Sequence, residues 1–250
     1  MAVLTGGAFA VSLIYVNYAY TGWNAATYIL DELDAPQKNL PLVLLIGTSV
    51  VIVFYLMLNF VFLLSAPAEA LTGKIEVGLI AAEYAFGEQG GRLMGLMLAA
   101  LLISTVSAML MTGPRVLQVI GQDFRIFRFL SRTNQTNLPI SAIICVAVLA
   151  EILVLTSTFE SVLVFSGFVL ALNTLFTVGG VFVMRAKGMA KAGAYRTFGY
   201  PFTPLIFLLL TAWTLVYILI QRPQEGFSGL AIIAVGLALY WISNRFSLQS

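Results

Sequence analysis

Of 250 residues, 60% are hydrophobic and only 10% are charged, against about 45–50% and about 25% in a soluble domain. With a mean hydropathy of +0.97, the chain has more apolar surface than a soluble enzyme can bury, which points to an integral membrane protein. The absence of histidine and the single cysteine, Cys145, leave no His-based triad, metal cluster or internal disulfide. No cofactor is called for, and a net charge of +2 offers nothing to nucleic acid.

A helix that crosses the hydrocarbon core needs about 20 mostly apolar residues. Seven runs meet that need, near 6–31, 41–65, 92–113, 139–157, 161–184, 201–221 and 227–244. They are too long for the strands of a membrane barrel, so the expected fold is all-α with seven transmembrane helices. The first run is interrupted at its centre, where Tyr18-Ala19-Tyr20-Thr21-Gly22-Trp23-Asn24 stands. It closes on Asp31, Glu32 and Asp34, with Lys38 nearby. Between the second and third runs, Ile75 to Phe86 reads as a short amphipathic surface helix. Gly91-x-x-x-Gly95 follows it, a spacing that permits close helix contact.

The third run carries Ser104, Thr105 and Ser107 at mid-span. Asn134-Gln135-Thr136 matches a glycosylation acceptor, but it falls on the cytoplasmic side and reads as chance. The short fourth run contains Glu151, an intramembrane carboxylate close enough to the end of its helix to reach the interface. Asn173 lies inside the fifth run, and Tyr240-Trp241 end the seventh as interfacial belt residues.

Basic residues give the direction. With the first span running inward, the cytoplasmic segments hold Lys38, Arg115, Arg125, Arg128, Arg132, Arg185, Lys187, Lys191, Arg196 and Arg245. The outer segments hold only Lys74, Arg92 and Arg222. That asymmetry predicts an outside N-terminus and a cytoplasmic C-terminus.

The interrupted first span carries the chemistry. Gly, Thr and Asn are weak helix formers, and Gly lets the backbone leave helical geometry. Backbone groups freed at membrane depth must meet protein, water or a ligand. A helix broken at the midplane is how many secondary transporters build a substrate site, and its partial charges suit a zwitterion. The residues alone also fit a plain packing site for a neighbouring helix.

At these residues the sequence resembles amino acid permeases of the amino acid–polyamine–organocation superfamily, the L-type branch above all. Tyr20-Thr21-Gly22-Trp23-Asn24 and Asp31-Glu32-Leu33-Asp34-Ala35-Pro36-Gln37-Lys38-Asn39-Leu40-Pro41 look like the family's sixth span and the loop after it, with Ala35 where Asn is usual. Gly113-Pro114-Arg115 with Gly121-Gln122-Asp123 resembles the eighth span, and Tyr195-Arg196-Thr197-Phe198-Gly199-Tyr200-Pro201 the entry to the eleventh.

The resemblance implies the second half of a five-plus-five inverted-repeat fold. Residues 1–186 would be the second repeat, and 187–250 a cytoplasmic loop and two final spans. It implies an N-terminally truncated permease whose five preceding spans come from the same gene or from a split subunit. The implied activity is amino acid transport by alternating access at the plasma membrane. Tyr18 would be an aromatic gate, Ala19 to Gly22 the break that meets the substrate ammonium, and Asn24 and Asn173 pocket residues, with Trp23 and Tyr20 beside them. Ser104 and Thr105 match hydroxyls that sodium-coupled relatives offer to an ion. Asp31 and Glu32, paired with Lys38 or the arginines of 123–132, would form an inner gate, and Glu151 is a proton-coupling candidate. Seven spans with an outside N-terminus also match a seven-helix receptor, but the last span has no lysine for a retinal and no cysteine pair ties the outer loops.

Overall fold

The computed structural model describes residues 6–23, 34–135, 137–189 and 197–247. They form helices α1 (Gly7–Ala19), α2 (Pro36–Ser65), α3 (Val77–Asp123), α4 (Ile140–Thr156), α5 (Phe159–Ala186), α6 (Phe202–Gln221) and α7 (Pro223–Ser247), and no strand appears among them. A single helical turn stands at Ala68–Leu71, and a 3-10 segment runs over Arg125–Ser131. Five helices (α2, α3, α5, α6 and α7) are long and apolar enough to cross a membrane, while α1 and α4 are shorter apolar helices.

The ends of the helices follow local chemistry. Proline opens α2 and α7, where its missing N–H has no intrahelical partner to lose. Thr158 caps α5, its hydroxyl oxygen accepting from the Ser161 N–H at 3.2 Å. Helix α2 starts at Pro36, a full turn before the expected 41, so Pro41 lies inside it. Ala35, just ahead of α2, holds φ 45°. Asn adopts that left-handed region more readily than Ala does, and this is where the family pattern carries Asn.

The chain divides into two compact units. In the first, which takes in residues 1–44 and 147–250, α1, α5, α6 and α7 pack together. Ile14, Val164, Phe168, Leu215 and Ile218 form its buried centre. Glycines let the helices approach. A Cβ at Gly167 would lie 3.2 Å from Ile14 of α1, and one at Gly229 of α7 would lie 2.6 Å from the Phe168 ring. At one end of the unit Arg185 sits over the Tyr200 ring, 4.0 Å from its centroid, and Phe182 stacks on the same ring.

In the second unit, residues 45–146, α3 is folded at Gly87, whose φ of 71° and ψ of −174° are open to glycine alone. The expected surface helix over 75–86 is thus its first limb, from Val77 to Gly87. That limb turns back on the long limb, where Leu79 comes within 3.2 Å of a Cβ position at Gly95, and Glu83 crowds the one at Gly91. The Gly91-x-x-x-Gly95 spacing therefore serves a contact inside one hairpin of helices. The 30-residue α2 buries no residue at all, a surface suited to lipid.

Candidate functional site

Helix α1 stops in the middle of the first apolar run. Its last helical residue is Ala19, and Tyr20, Thr21, Gly22 and Trp23 form a turn with Gly22 at φ 102°. The ending is local. The Tyr20 N–H is shared between the carbonyls of Val16 and Asn17, each at 3.2 Å. The Tyr18 carbonyl accepts from both the Thr21 N–H at 3.1 Å and the Thr21 hydroxyl at 2.7 Å. Thr21 thus closes the turn with its side chain. Tyr18 is 39% exposed and Trp23 49% exposed, so neither is locked into the packed centre. A Cβ at Gly22 would meet nothing of the described residues within 4 Å, so the positive φ is the demand for glycine seen here.

Of the other sequence candidates, Asn173 lies on α5, which packs against α1, and its carbonyl accepts from Thr177 at 2.9 Å. Ser104 and Thr105 lie on α3 in the second unit, and the Thr105 hydroxyl donates to Leu101 of its own helix at 2.9 Å. Ser107 does the same to Ile103 at 2.8 Å. The donors are therefore used within the helix, the usual arrangement for a hydroxyl with apolar neighbours. Glu151 stands exposed on α4, five residues before its last residue, Thr156. Asn24, Asp31 and Glu32 fall outside the described residues.

The structure adds a polar cluster that the sequence did not single out. Glu160, in the first turn of α5, accepts a hydrogen bond from the Tyr15 hydroxyl of α1 at 3.0 Å and forms an ion pair with Arg222, between α6 and α7. Beside it the Ser161 hydroxyl donates to Glu225 of α7 at 3.1 Å. One carboxylate thus ties α1 to the ends of α5 and α6, three residues ahead of Tyr18. Half-exposed ion pairs contribute under about 1 kcal/mol, so Glu160→Gln is expected to lower thermal stability only slightly. Its main effect is expected as faster amide exchange along α1, with α5 unchanged, read by hydrogen–deuterium exchange. Equal acceleration in both helices would contradict a tie specific to α1.

Comparison with known proteins supplies the family. Residues 3–243 match the amino acid permease family. The chain is 27% identical over 243 residues to the mouse b(0,+)-type amino acid transporter 1, covering 93% of this chain and 48% of the relative. It is 26% identical over 238 residues to the human large neutral amino acids transporter small subunit 2, covering 94% and 44%. The chain therefore spans about half the length of the curated relatives it matches. With a match that runs over nearly its whole length, on a set of long apolar helices, this chain belongs to the amino acid permease family.

Proposed function

We propose that a transporter containing this chain moves amino acids across a membrane by alternating access, with substrate bound where α1 stops. The observation that carries this is the termination at Ala19 with Gly22 at φ 102°, inside the Tyr20–Asn24 motif and midway along an apolar run. A helix C-terminus presents carbonyls with partial negative charge, which suits a substrate ammonium. Tyr18 closes over the substrate from the last turn of α1, Trp23 packs beside it, and Asn24 and Asn173 supply amides to the pocket. Rocking of α1 against its neighbours alternates access, and the Glu160 tie to Tyr15 holds one of the two positions.

In this reading the first span is a broken helix and residues 1–186 form one five-span inverted repeat. The other half of the relatives' length supplies the rest of the site. The membrane is the plasma membrane, with the N-terminal end of α1 outside. Ser104, Thr105 and Glu151 remain the positions at which an ion or proton would couple, and Asp31 and Glu32 those of an inner gate.

The test is uptake of radiolabelled amino acids by proteoliposomes that hold this chain together with a counterpart for the other half of its relatives. Saturable accumulation of at least one amino acid above protein-free vesicles is expected. Background uptake of all twenty would refute the proposal.

A further inference from the structure

The 3-10 segment Arg125–Ser131 closes on the end of α3 with one face only. A 3-10 helix has three residues per turn, so its side chains fall into three stripes. Phe124, Phe127 and Leu130 form the inner stripe, with Leu130 buried and the other two half-buried. This stripe packs where α3 has Gly121, whose Cβ position lies 2.7 Å from both the Phe127 carbonyl oxygen and the Ser131 nitrogen. The second stripe carries Arg125 and Arg128, and the third Ile126, Phe129 and Arg132, all exposed. Phe129 is 51% and Ile126 40% exposed although the inner stripe is satisfied.

None of the three arginines forms an ion pair among the described residues. Between Glu88 and Glu151 the sequence holds a single carboxylate, Asp123, against five arginines. Asp31 and Glu32 lie outside the described residues. Exposed Ile126 and Phe129 beside arginines with no ion pair among the described residues, directly at the end of an apolar helix, have the chemistry of an element lying in the headgroup layer.

We propose that Arg125–Arg132 is a docking surface for anionic phospholipid of the adjacent leaflet, with Ile126 and Phe129 entering the acyl boundary and Arg125, Arg128 and Arg132 holding headgroup phosphates. This goes beyond transport and rests only on α3 crossing a membrane.

The test places the full chain in nanodiscs of phosphatidylcholine containing a minor fraction of phosphatidylserine. Lipid retained after detergent extraction is then counted by native mass spectrometry. The parent is expected to retain phosphatidylserine in preference to phosphatidylcholine, and added salt to weaken that preference. Each arginine is worth roughly fivefold, so Arg125→Gln/Arg128→Gln/Arg132→Gln is expected to lower it by up to roughly a hundredfold. The matching triple replacement by Lys, and Lys74→Gln/Arg92→Gln elsewhere on the chain, are expected to keep it.

An unchanged preference in the Gln variant, its loss in the Lys variant, or no preference in the parent would each overturn the proposal. So would binding of soluble polyglutamate by the parent in detergent together with no measurable retention of phosphatidylserine, which would assign the surface to an acidic protein partner. If the Gln variant does not fold, the salt dependence of the parent decides: retention that does not respond to salt overturns the proposal.

Discussion

Gly22→Leu is expected to abolish amino acid uptake by the assembled transporter while leaving its expression intact. Gly22 holds φ 102°, and no atom of the described residues lies within 4 Å of where a Cβ would stand. The penalty is therefore conformational first. A residue with a Cβ is strained in this region by about 1–3 kcal/mol, enough to favour a continued helix and to erase the turn after Ala19. Gly22→Ala separates shape from bulk. It carries most of the strain and little volume, so its uptake is expected to fall roughly tenfold, the factor that about 1.4 kcal/mol sets. Wild-type uptake by the Leu variant would defeat the broken-helix site. A silent Ala variant beside a dead Leu variant would show that the pocket needs space rather than a turn.

Phe168→Ala is expected to produce the largest loss of stability. Phe168 is 1% exposed at the centre of the group formed by α1, α5, α6 and α7. Removing a buried Phe leaves a cavity and costs about 3–5 kcal/mol in a well-packed site. Helices in lipid are held by close packing rather than by escape from water, so the lost contacts are not replaced by any hydrophobic gain. Thermal unfolding in detergent should show a fall of many degrees.

Gly229 supplies an internal check, because a Cβ there would lie 2.6 Å from the Phe168 ring. Gly229→Ala alone is expected to destabilise, whereas the same change on top of Phe168→Ala should cost much less. Additive losses would show that the two positions do not touch.

Hydrophobic run length marked in advance where the apolar helices lie, and five of them are long enough to cross a bilayer, while α1 and α4 are shorter than the runs that announced them or than a full crossing needs. The runs at 41–65, 161–184 and 201–221 lie within α2, α5 and α6 to within a residue. The amphipathic stretch before Gly87 and the Gly91–Gly95 spacing were equally legible, since each depends on residues close together in the chain. The family motif at Tyr20–Asn24 was local too, and α1 ends at its edge.

What the pattern could not supply was pairing between distant residues. Glu160 meets Tyr15 across 145 positions and Arg222 across 62, and no periodicity encodes a partner that far away. The two limbs of α3 were separate in the sequence, as a surface helix over 75–86 and a span at 92–113, but not the way one folds back on the other, which a single glycine torsion at Gly87 sets.

The amino-acid sequence by itself thus determined that the chain is a set of apolar helices, where the first of them weakens, and to which family the motifs point. It could do so because lipid solvation and local helix propensity act residue by residue. Only the tertiary structure decided that one carboxylate ties α1 to the ends of α5 and α6, that the 77–86 limb lies back on α3, and that three arginines at the end of α3, with no ion pair among the described residues, stand beside an exposed phenylalanine. Those outcomes depend on which surfaces meet, and close packing and charge pairing settle that only after the helices have formed.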